Sequence, residues 1–164
     1  MLHGTTVVAT DPHEIANVLG GEGIEMFIEE SRRALLRVFF YVPSCVPPTR
    51  EGLDTPSSVL SIRDIKDLLT GYEEIIGLGE VMDFHSLLKL NSELLEEIVL
   101  AMNKGVVIDG HAPQLTEEML IPYIITGVVG DHESAVIDEA LTKLRNGMRI
   151  LLREGSAWKD LEEL

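Results

Sequence analysis

Positive charge is scarce in this sequence, and that scarcity excludes two kinds of partner. Thirteen Lys and Arg residues stand against 28 Asp and Glu residues, which gives a formal net charge of −15 at pH 7. Nucleic acid is not an expected partner, because binding it depends on neutralising phosphates with Lys and Arg. Anionic membrane surfaces are disfavoured for the same reason.

Cysteine and long apolar runs are scarce as well. Cys45 is the only cysteine, so an intramolecular disulfide is impossible and a reducing cytoplasm is the expected location. No apolar run reaches the roughly 20 residues of a transmembrane helix. The first residues show neither the basic region nor the cleavage-like site of a signal peptide. The sequence therefore predicts a cytoplasmic protein with no membrane span.

What remains is the composition of a folded domain. Hydrophobic residues make up 45% and charged residues 25% of the 164 residues, close to the average for a soluble globular protein. This apolar fraction excludes a disordered chain, because it offers enough surface to bury. The length favours a single domain over residues 1–164.

Six short apolar runs predict β-strands, and an amphipathic stretch follows each run. The runs are nearly continuous rather than alternating, which is typical of strands buried on both faces of a parallel sheet. The predicted strands cover residues 5–9, 37–42, 74–79, 106–109, 127–130 and 148–152. The predicted helices cover residues 14–33, 61–69, 84–103, 116–125, 134–146 and 156–164. Six strand–helix units in a row predict an α/β fold with right-handed crossovers.

Two serines and one loop add detail to this pattern. Ser61, with Asp64 three residues later, predicts a capping box at the start of helix 61–69. Ser134 is the predicted cap of helix 134–146. Residues 43–58 contain four prolines and predict a long loop, and a loop of that length in a compact domain is usually functional.

Polar side chains follow the predicted strands at their carboxyl ends. They include Asp11, His13, Glu14, Ser44, Glu80, His111, His132 and Glu133. Because the carboxyl ends of parallel strands lie on one face, we expect Glu80, His111 and His132 to converge. Imidazole and carboxylate are the usual ligands of zinc, iron and manganese. A carboxylate placed between two cations can bridge them, so the sequence predicts a metal site at this face.

Each of these residues also has a plainer interpretation. A single histidine at a strand end is more often a hydrogen-bonding residue than a metal ligand, and Asp11 and Glu14 would also serve as caps of the first helix. We expect His3 to be structural and His85 to be solvated. Cys45 is expected to be a small buried residue, because the sequence identifies no catalytic partner for it.

Six strings of residues follow one another in a recognisable order. They are HGTTVVATDPHEIANVLG at residues 3–20, PSCVP at 43–47, GLGEVM at 77–82, DGHAP at 109–113, DHE at 131–133 and REGS at 153–156. The strings DPHEIANVLG and DGHAP are specific, and the others are weaker alone. Together they span essentially the whole chain, which resembles the adenine deaminase family of the amidohydrolase superfamily.

This resemblance implies a metal-dependent (β/α)8 barrel that hydrolyses adenine to hypoxanthine and ammonia. By position, it implies that Glu80 is a metal-bridging carboxylate at the end of the fourth barrel strand. It further implies that His111 and His132 are catalytic metal ligands that end the fifth and sixth strands. The resemblance favours manganese or iron over zinc. We expect the purine substrate to be bound by the surrounding polar residues Asp11, His13, Glu14, Ser44 and Glu133.

Two parts of the family's pattern are missing from the sequence. The His-x-His pair that ends the family's first barrel strand is absent, and so is the aspartate that ends its eighth strand. We therefore expect a partial TIM-like barrel, a fragment with strands two to seven of eight, that is inactive alone. Its first and last strands would be exposed edges, which a homo-oligomer would cover.

Two other functions stay open at this point. The chain would act as a non-catalytic fragment if it bound a purine or a partner through the same face without turnover. An open doubly wound sheet that binds a nucleotide is the third possibility. It is disfavoured, because the sequence has neither GxGxxG after a strand nor GxxxxGK[ST].

Overall fold

Four parallel strands form the main sheet of the computed structural model, which describes residues 2–48 and 55–164. In order across the sheet, the strands are β1 (Val7–Thr10), β2 (Arg37–Pro43), β3 (Ile75–Val81) and β4 (Val107–Gly110). Their register pairs Thr10 with Phe40 and Val81 with Gly110. The carboxyl ends of the four strands therefore lie at the same end of the sheet.

Two further strands form a separate parallel pair. β5 (Gly130–Asp131) pairs with β6 (Arg149–Ile150) over two residues each. The α/β class is as predicted, whereas a single sheet of six strands is not confirmed. Pairing at β5 stops because the Asp131 carboxylate accepts hydrogen bonds from the amides of Glu133 and Ser134, which turns the chain. The Val129 amide donates to the Ile108 carbonyl at 3.0 Å and so keeps β5 beside β4.

Seven helices occur within residues 2–48 and 55–164. They are α1 (His13–Leu19), α2 (Gly21–Ser31), α3 (Ile62–Gly71), α4 (Phe84–Leu88), α5 (Ser92–Lys104), α6 (Glu117–Ile125) and α7 (Ile137–Arg145). They lie in the connections between successive parallel strands, which need crossovers of this kind. None of these helices has the length and apolar character needed to cross a membrane.

The predicted helix over residues 14–33 is in fact two helices, α1 and α2. Gly20 lies between them with a φ of +64°, a conformation that glycine adopts without a steric penalty. A Cβ added there would lie 2.6 Å from Ser58 Oγ. The apolar spacing continues across Gly20, so the pattern did not reveal this break.

The predicted helix over residues 84–103 is also divided, into α4 and α5. Leu90 has a φ of +59° and ends the helical path. Asn91 then starts α5, because its side-chain oxygen accepts a hydrogen bond from the Leu94 amide at 3.1 Å. This is the usual role of an asparagine at a helix N-terminus.

One of the two predicted helix caps is confirmed, and the other is wrong. The capping box is confirmed, since Ser61 Oγ accepts from the Asp64 amide and the Asp64 carboxylate accepts from the Ser61 amide. Ser134 does not cap α7. It bonds to Asp131 instead, and α7 begins three residues later at Ile137.

The last predicted helix is not found, and the predicted long loop is described only in part. Residues 156–164 form turns instead of a helix, and an isolated bridge joins Glu154 to Lys159. Part of the predicted loop at 43–58, residues 49–54, lies outside the described residues. The described part of that loop has no helix or strand beyond the end of β2.

The hydrophobic core lies between the sheet and the helices. Val42 and Leu78 on the strands are fully buried, as are Ile65 and Leu94 on helices α3 and α5. β3 is buried along most of its length, as expected for a central strand with helices packed against it. β1 is the outer strand, and its Val7 is 50% exposed. This core fixes the strands whose ends carry the polar cluster.

Candidate metal centre

Three polar side chains meet at the carboxyl ends of β3, β4 and β5. Glu80 is the penultimate residue of β3, His111 directly follows β4, and His132 directly follows β5. Parallel strands place these ends side by side, although the residues are far apart in the sequence. The structure therefore brings together the three residues that the sequence analysis selected as metal ligands.

The Glu80 carboxylate lies at the centre of this cluster. His111 Nδ1 lies 3.0 Å from one carboxylate oxygen, and His132 Nε2 lies 3.3 Å from the other. The two imidazole rings meet edge to face, with their centroids 5.4 Å apart. One ligand atom from each of the three residues lies within 4.8 Å of the others. This spacing is compatible with one shared cation.

The donor atoms fit a divalent transition metal. Two imidazole nitrogens and a carboxylate oxygen are ligands that zinc, iron and manganese accept. His111 Nδ1 is buried and makes no well-aligned hydrogen bond within the described part of the chain. Its contact with Glu80 at 3.0 Å is a charge contact and not an aligned hydrogen bond, and a cation coordinated by both groups would satisfy this buried nitrogen.

A second group of ligand atoms adjoins the first. His13 Nδ1 lies 3.5 Å from Asp11 and 4.0 Å from Glu80. Both carboxylate oxygens of Asp11, and His13 Nδ1, are buried without a hydrogen-bond partner among the described residues. Asp11, His13 and Glu80 also have ligand atoms within 4.8 Å of one another. Because Glu80 belongs to both groups, its carboxylate is placed where it could bridge two cations.

The charges of Glu80 and His132 are coupled. Burial would raise the pKa of the Glu80 carboxyl, but His111 and His132 lower that pKa well below its ordinary value. Asp109, whose carboxylate lies 3.4 Å from His132 Nδ1, and then Glu80 raise the pKa of His132 to about 10. In the absence of a cation, Glu80 is therefore anionic and His132 protonated at neutral pH.

Asp11 and His13 have shifted pKa values as well. Burial raises the pKa of Asp11 to about 6. The neighbouring Asp11 carboxylate raises the pKa of His13 to about 8. Perturbed pKa values of this kind concentrate at functional sites, although structural ion pairs also produce them.

The remaining predicted site residues lie around this cluster in different ways. Glu133 pairs with Arg153, and its other oxygen lies 4.0 Å from His111 Nε2. Ser44 is buried, and its hydroxyl donates to the Glu80 carbonyl at 2.8 Å. Glu14 is on the outside, with its side chain 83% exposed and 3.8 Å from His13 Nε2.

The plainer interpretations can be compared with the structure as well. Within the described residues, no side-chain hydrogen bond caps α1, so neither Asp11 nor Glu14 acts as its cap. His3 and His85 are both exposed. Cys45 is buried, as predicted, and burial raises the pKa of its thiol.

Sequence reasoning missed two residues that support the cluster. Asp109 precedes His111 by two positions, and residues so spaced on a strand point to the same face. The spacing therefore indicated that the Asp109 carboxylate lies on the same face as the proposed ligands, where the structure places it beside His132. Tyr123, whose hydroxyl contacts the backbone of His111 at 3.1 Å, gave no signal, because it lies in an apolar stretch of α6 typical of core packing.

Comparison with known proteins gives a consistent result. The chain matches the amidohydrolase family over residues 1–156. It is 46% identical over 164 residues to an adenine deaminase of Staphylothermus marinus. It is 45% identical over 161 residues to an adenine deaminase of Archaeoglobus fulgidus and 43% identical over 163 residues to one of Methanococcoides burtonii.

These matches cover nearly all of this chain but a minor part of each relative. The match to the Staphylothermus marinus protein covers 99% of this chain and 27% of that protein. The corresponding shares are 98% and 28% for the Archaeoglobus fulgidus protein and 99% and 27% for the Methanococcoides burtonii protein. The chain thus spans little more than a quarter of the length of these relatives. With the family match extending over residues 1–156, this chain belongs to the amidohydrolase family.

Proposed function

We propose that this chain forms part of the catalytic site of an adenine deaminase, which hydrolyses adenine to hypoxanthine and ammonia. The observation that carries the proposal is the convergence of Glu80, His111 and His132 within 4.8 Å at the strand ends. The likeness to adenine deaminases over nearly the whole chain supports the same substrate. We assign residues 1–164 to one partial catalytic domain, with strands two to seven of an eight-stranded barrel.

The proposed centre holds a divalent transition metal, with manganese or iron favoured over zinc. Glu80, His111 and His132 would be its ligands, and Glu80 would bridge to a second cation. A bound divalent metal supplies Lewis acidity and lowers the pKa of a coordinated water. The low pKa of the Glu80 carboxyl keeps this ligand ionised at neutral pH. Asp109 holds the ring of His132 from its other nitrogen.

We further propose that the polar groups around this centre bind the purine. Asp11 and His13 lie against Glu80 and carry buried polar atoms without partners among the described residues, so they are placed to meet a polar ligand. Glu133 lies beside His111 on the opposite side. Ser44 and Glu14 complete the proposed set. The single buried cysteine fits a cytoplasmic location, and a homo-oligomer would cover the outer edge at β1.

Metal content of this chain is the first test of the proposed centre. We expect purified protein to retain close to one equivalent of manganese or iron per chain. The variants Glu80→Gln and His111→Ala should lose it, because each removes a ligand. His85→Ala is the matched control, since His85 is exposed on α4. Equal metal retention by all variants would contradict this ligand assignment, whereas metal-free wild-type protein would mean that the centre needs ligands from outside these 164 residues.

Deamination itself is tested in a longer polypeptide. The chain can replace the corresponding segment of the Staphylothermus marinus relative, to which it is 46% identical over 164 residues. The chimera should release ammonia from adenine, and His111→Ala and His132→Ala should each abolish that activity. Full activity after both substitutions would refute the assignment. Adenine binding without turnover would favour the non-catalytic alternative.

A further inference from the structure

Tyr123 has an unusual position for a core residue. It is fully buried on α6. Its hydroxyl donates a hydrogen bond to the Val81 carbonyl at 2.5 Å and accepts one from the His111 amide at 3.1 Å. Val81 directly follows Glu80 in the chain. One hydroxyl group therefore joins the backbone of two strand ends that carry proposed metal ligands.

The pairing of β3 with β4 is irregular at this point. Gly77 and Leu78 pair with Val107 and Ile108, but the register shifts before Val81 pairs with Gly110. An irregular ladder leaves backbone groups that need other partners. The Tyr123 hydroxyl supplies these partners at the strand ends, where Glu80 and His111 leave the sheet.

Gly110 leaves the space that this hydroxyl occupies. A Cβ added to Gly110 would lie 2.6 Å from the Tyr123 oxygen and 2.6 Å from the Gly130 carbonyl oxygen. No side chain larger than hydrogen fits there while Tyr123 keeps its place.

The other side of Glu80 is held independently. The Ser44 hydroxyl donates to the Glu80 carbonyl at 2.8 Å, and the Ser44 amide donates to the Gly79 carbonyl at 2.6 Å. These bonds tie Glu80 to β2. Beside the pairing of Val81 with Gly110, the Tyr123 hydroxyl ties the end of β3 to the amide of His111.

We propose that Tyr123 is a positioning residue whose hydroxyl ties the end of β3 to His111 and so sets the spacing between Glu80 and His111. This inference rests on the proposed metal centre. Tyr123 contacts neither the cation nor a substrate in this proposal. It acts through the backbone, and its effect appears in the affinity and geometry of the metal site.

The test compares Mn²⁺ affinity in the full 164-residue chain and in its Tyr123→Phe variant, which removes one oxygen. We expect the variant to bind Mn²⁺ about 10- to 100-fold more weakly, the usual effect of losing a group that orients a ligand. The Co²⁺ absorption spectrum should also change, because it reports ligand geometry. Tyr72→Phe is the matched control and should leave both readouts unchanged, since Tyr72 lies beside Glu25, away from the cluster.

A second control distinguishes an effect of Tyr123 on the metal site from a general loss of stability. Ile98→Val removes one methylene from the buried face of α5 and lowers stability without touching the cluster. The proposal requires that Ile98→Val keep wild-type Mn²⁺ affinity even where its loss of thermal stability is comparable to that of Tyr123→Phe. Unchanged Mn²⁺ affinity in Tyr123→Phe, or equal weakening in Ile98→Val, would overturn it.

Two further measurements cover the remaining outcomes. If Tyr123→Phe does not fold, hydrogen exchange of the His111 amide in the wild type tests the proposal instead. We expect this amide to be protected by its bond to Tyr123, and an unprotected amide would overturn the proposal. If wild-type protein binds no Mn²⁺, the centre needs ligands from outside these 164 residues, and the positioning role is tested without metal. The His111 ring ¹⁵N resonances of metal-free Tyr123→Phe then test the positioning role, and resonances identical to those of the wild type would overturn it.

Discussion

His132 lies between two carboxylates that hold it from opposite sides. Its Nδ1 faces Asp109 at 3.4 Å, and its Nε2 faces Glu80 at 3.3 Å. Both neighbours stabilise the protonated ring, which is why its pKa is raised to about 10. A histidine must lose this proton before it can coordinate a metal. Proton release and metal binding are therefore coupled at this residue.

Metal affinity should consequently rise with pH across the neutral range. Below the pKa of about 10 for His132, each unit of pH should strengthen Mn²⁺ binding by about tenfold, because one proton leaves as the cation enters. Isothermal titration between about pH 6.5 and 8 in buffers of different ionisation enthalpy would measure the affinity and the number of protons released.

Asp109→Asn is the matched control for this pH dependence. The substitution removes the first cause of the raised pKa of His132 and leaves Glu80 in place. We expect fewer protons to be released on Mn²⁺ binding at the upper end of the range, and a shallower dependence of affinity on pH. Identical slopes in the variant and the wild type would show that Asp109 does not control this protonation.

At the scale of secondary-structure elements, α7 contributes a buried charge network beneath the site. Lys143 of α7 is fully buried, and its Nζ donates to Asp131, Ser134 and Glu139 at 2.6–2.9 Å. The other Asp131 oxygen accepts from the Ala112 amide at 2.8 Å. Asp131 therefore links the turns that follow His111 and precede Ser134, and Lys143 neutralises it.

Lys143→Met should be strongly destabilising because it leaves the Asp131 carboxylate buried without its cation. We expect a loss of about 3–5 kcal/mol in the free energy of unfolding, measured with urea. The double variant Asp131→Asn/Lys143→Met should recover part of this loss. Lys104→Met, at the exposed end of α5, should change stability by less than about 0.5 kcal/mol. An equal effect of the two lysine substitutions would contradict the role of the network.

The break between α1 and α2 gives a second prediction at this scale. Gly20→Ala places a side chain at a φ of +64° and a Cβ 2.6 Å from Ser58 Oγ. We expect it to lower the free energy of unfolding by more than about 1 kcal/mol. Gly71→Ala in the last turn of α3 meets open space and should be neutral or stabilising by up to about 1 kcal/mol. Urea unfolding of the two alanine variants makes the comparison, and equal stability would refute the conformational argument.

These elements show what the sequence could and could not predict. The meeting of Glu80, His111 and His132 was predictable, because it follows from strand order and the common direction of parallel strands. The breaks at Gly20 and Leu90 were missed because the apolar spacing of one long helix continues through both, although the glycine pair at 20 and 21 is itself a turn signal. The buried Lys143 was also hidden from sequence reasoning, because a lysine on a helix is ordinarily solvated. Its partners Asp131 and Ser134 are set by packing that the sequence pattern does not encode, whereas Glu139 lies four residues before it on the same helix.

At the scale of the whole molecule, the formal net charge of −15 affects every measurement with cations. Divalent ions screen repulsion among surface carboxylates and so stabilise an acidic protein without any specific site. Stabilisation by Mn²⁺ therefore supports the proposed centre only when it exceeds the effect of an ion that the site does not favour. Ca²⁺ is such an ion, because it prefers oxygen ligands to imidazole.

We expect Mn²⁺ to raise the thermal unfolding midpoint of this chain well beyond the effect of Ca²⁺. A ligand at about 100 times its Kd stabilises the folded state by about 2.7 kcal/mol, which corresponds to roughly 5–10 °C for a domain of this size. Differential scanning calorimetry at matched ionic strength would measure both ions. Screening acts on the charge of the whole surface, whereas coordination requires the imidazole of one residue. His111→Ala should therefore abolish the difference between Mn²⁺ and Ca²⁺ while retaining the small shift that they share. Equal shifts for both ions in the wild type would mean that its response to cations comes from its surface charge and not from Glu80, His111 and His132.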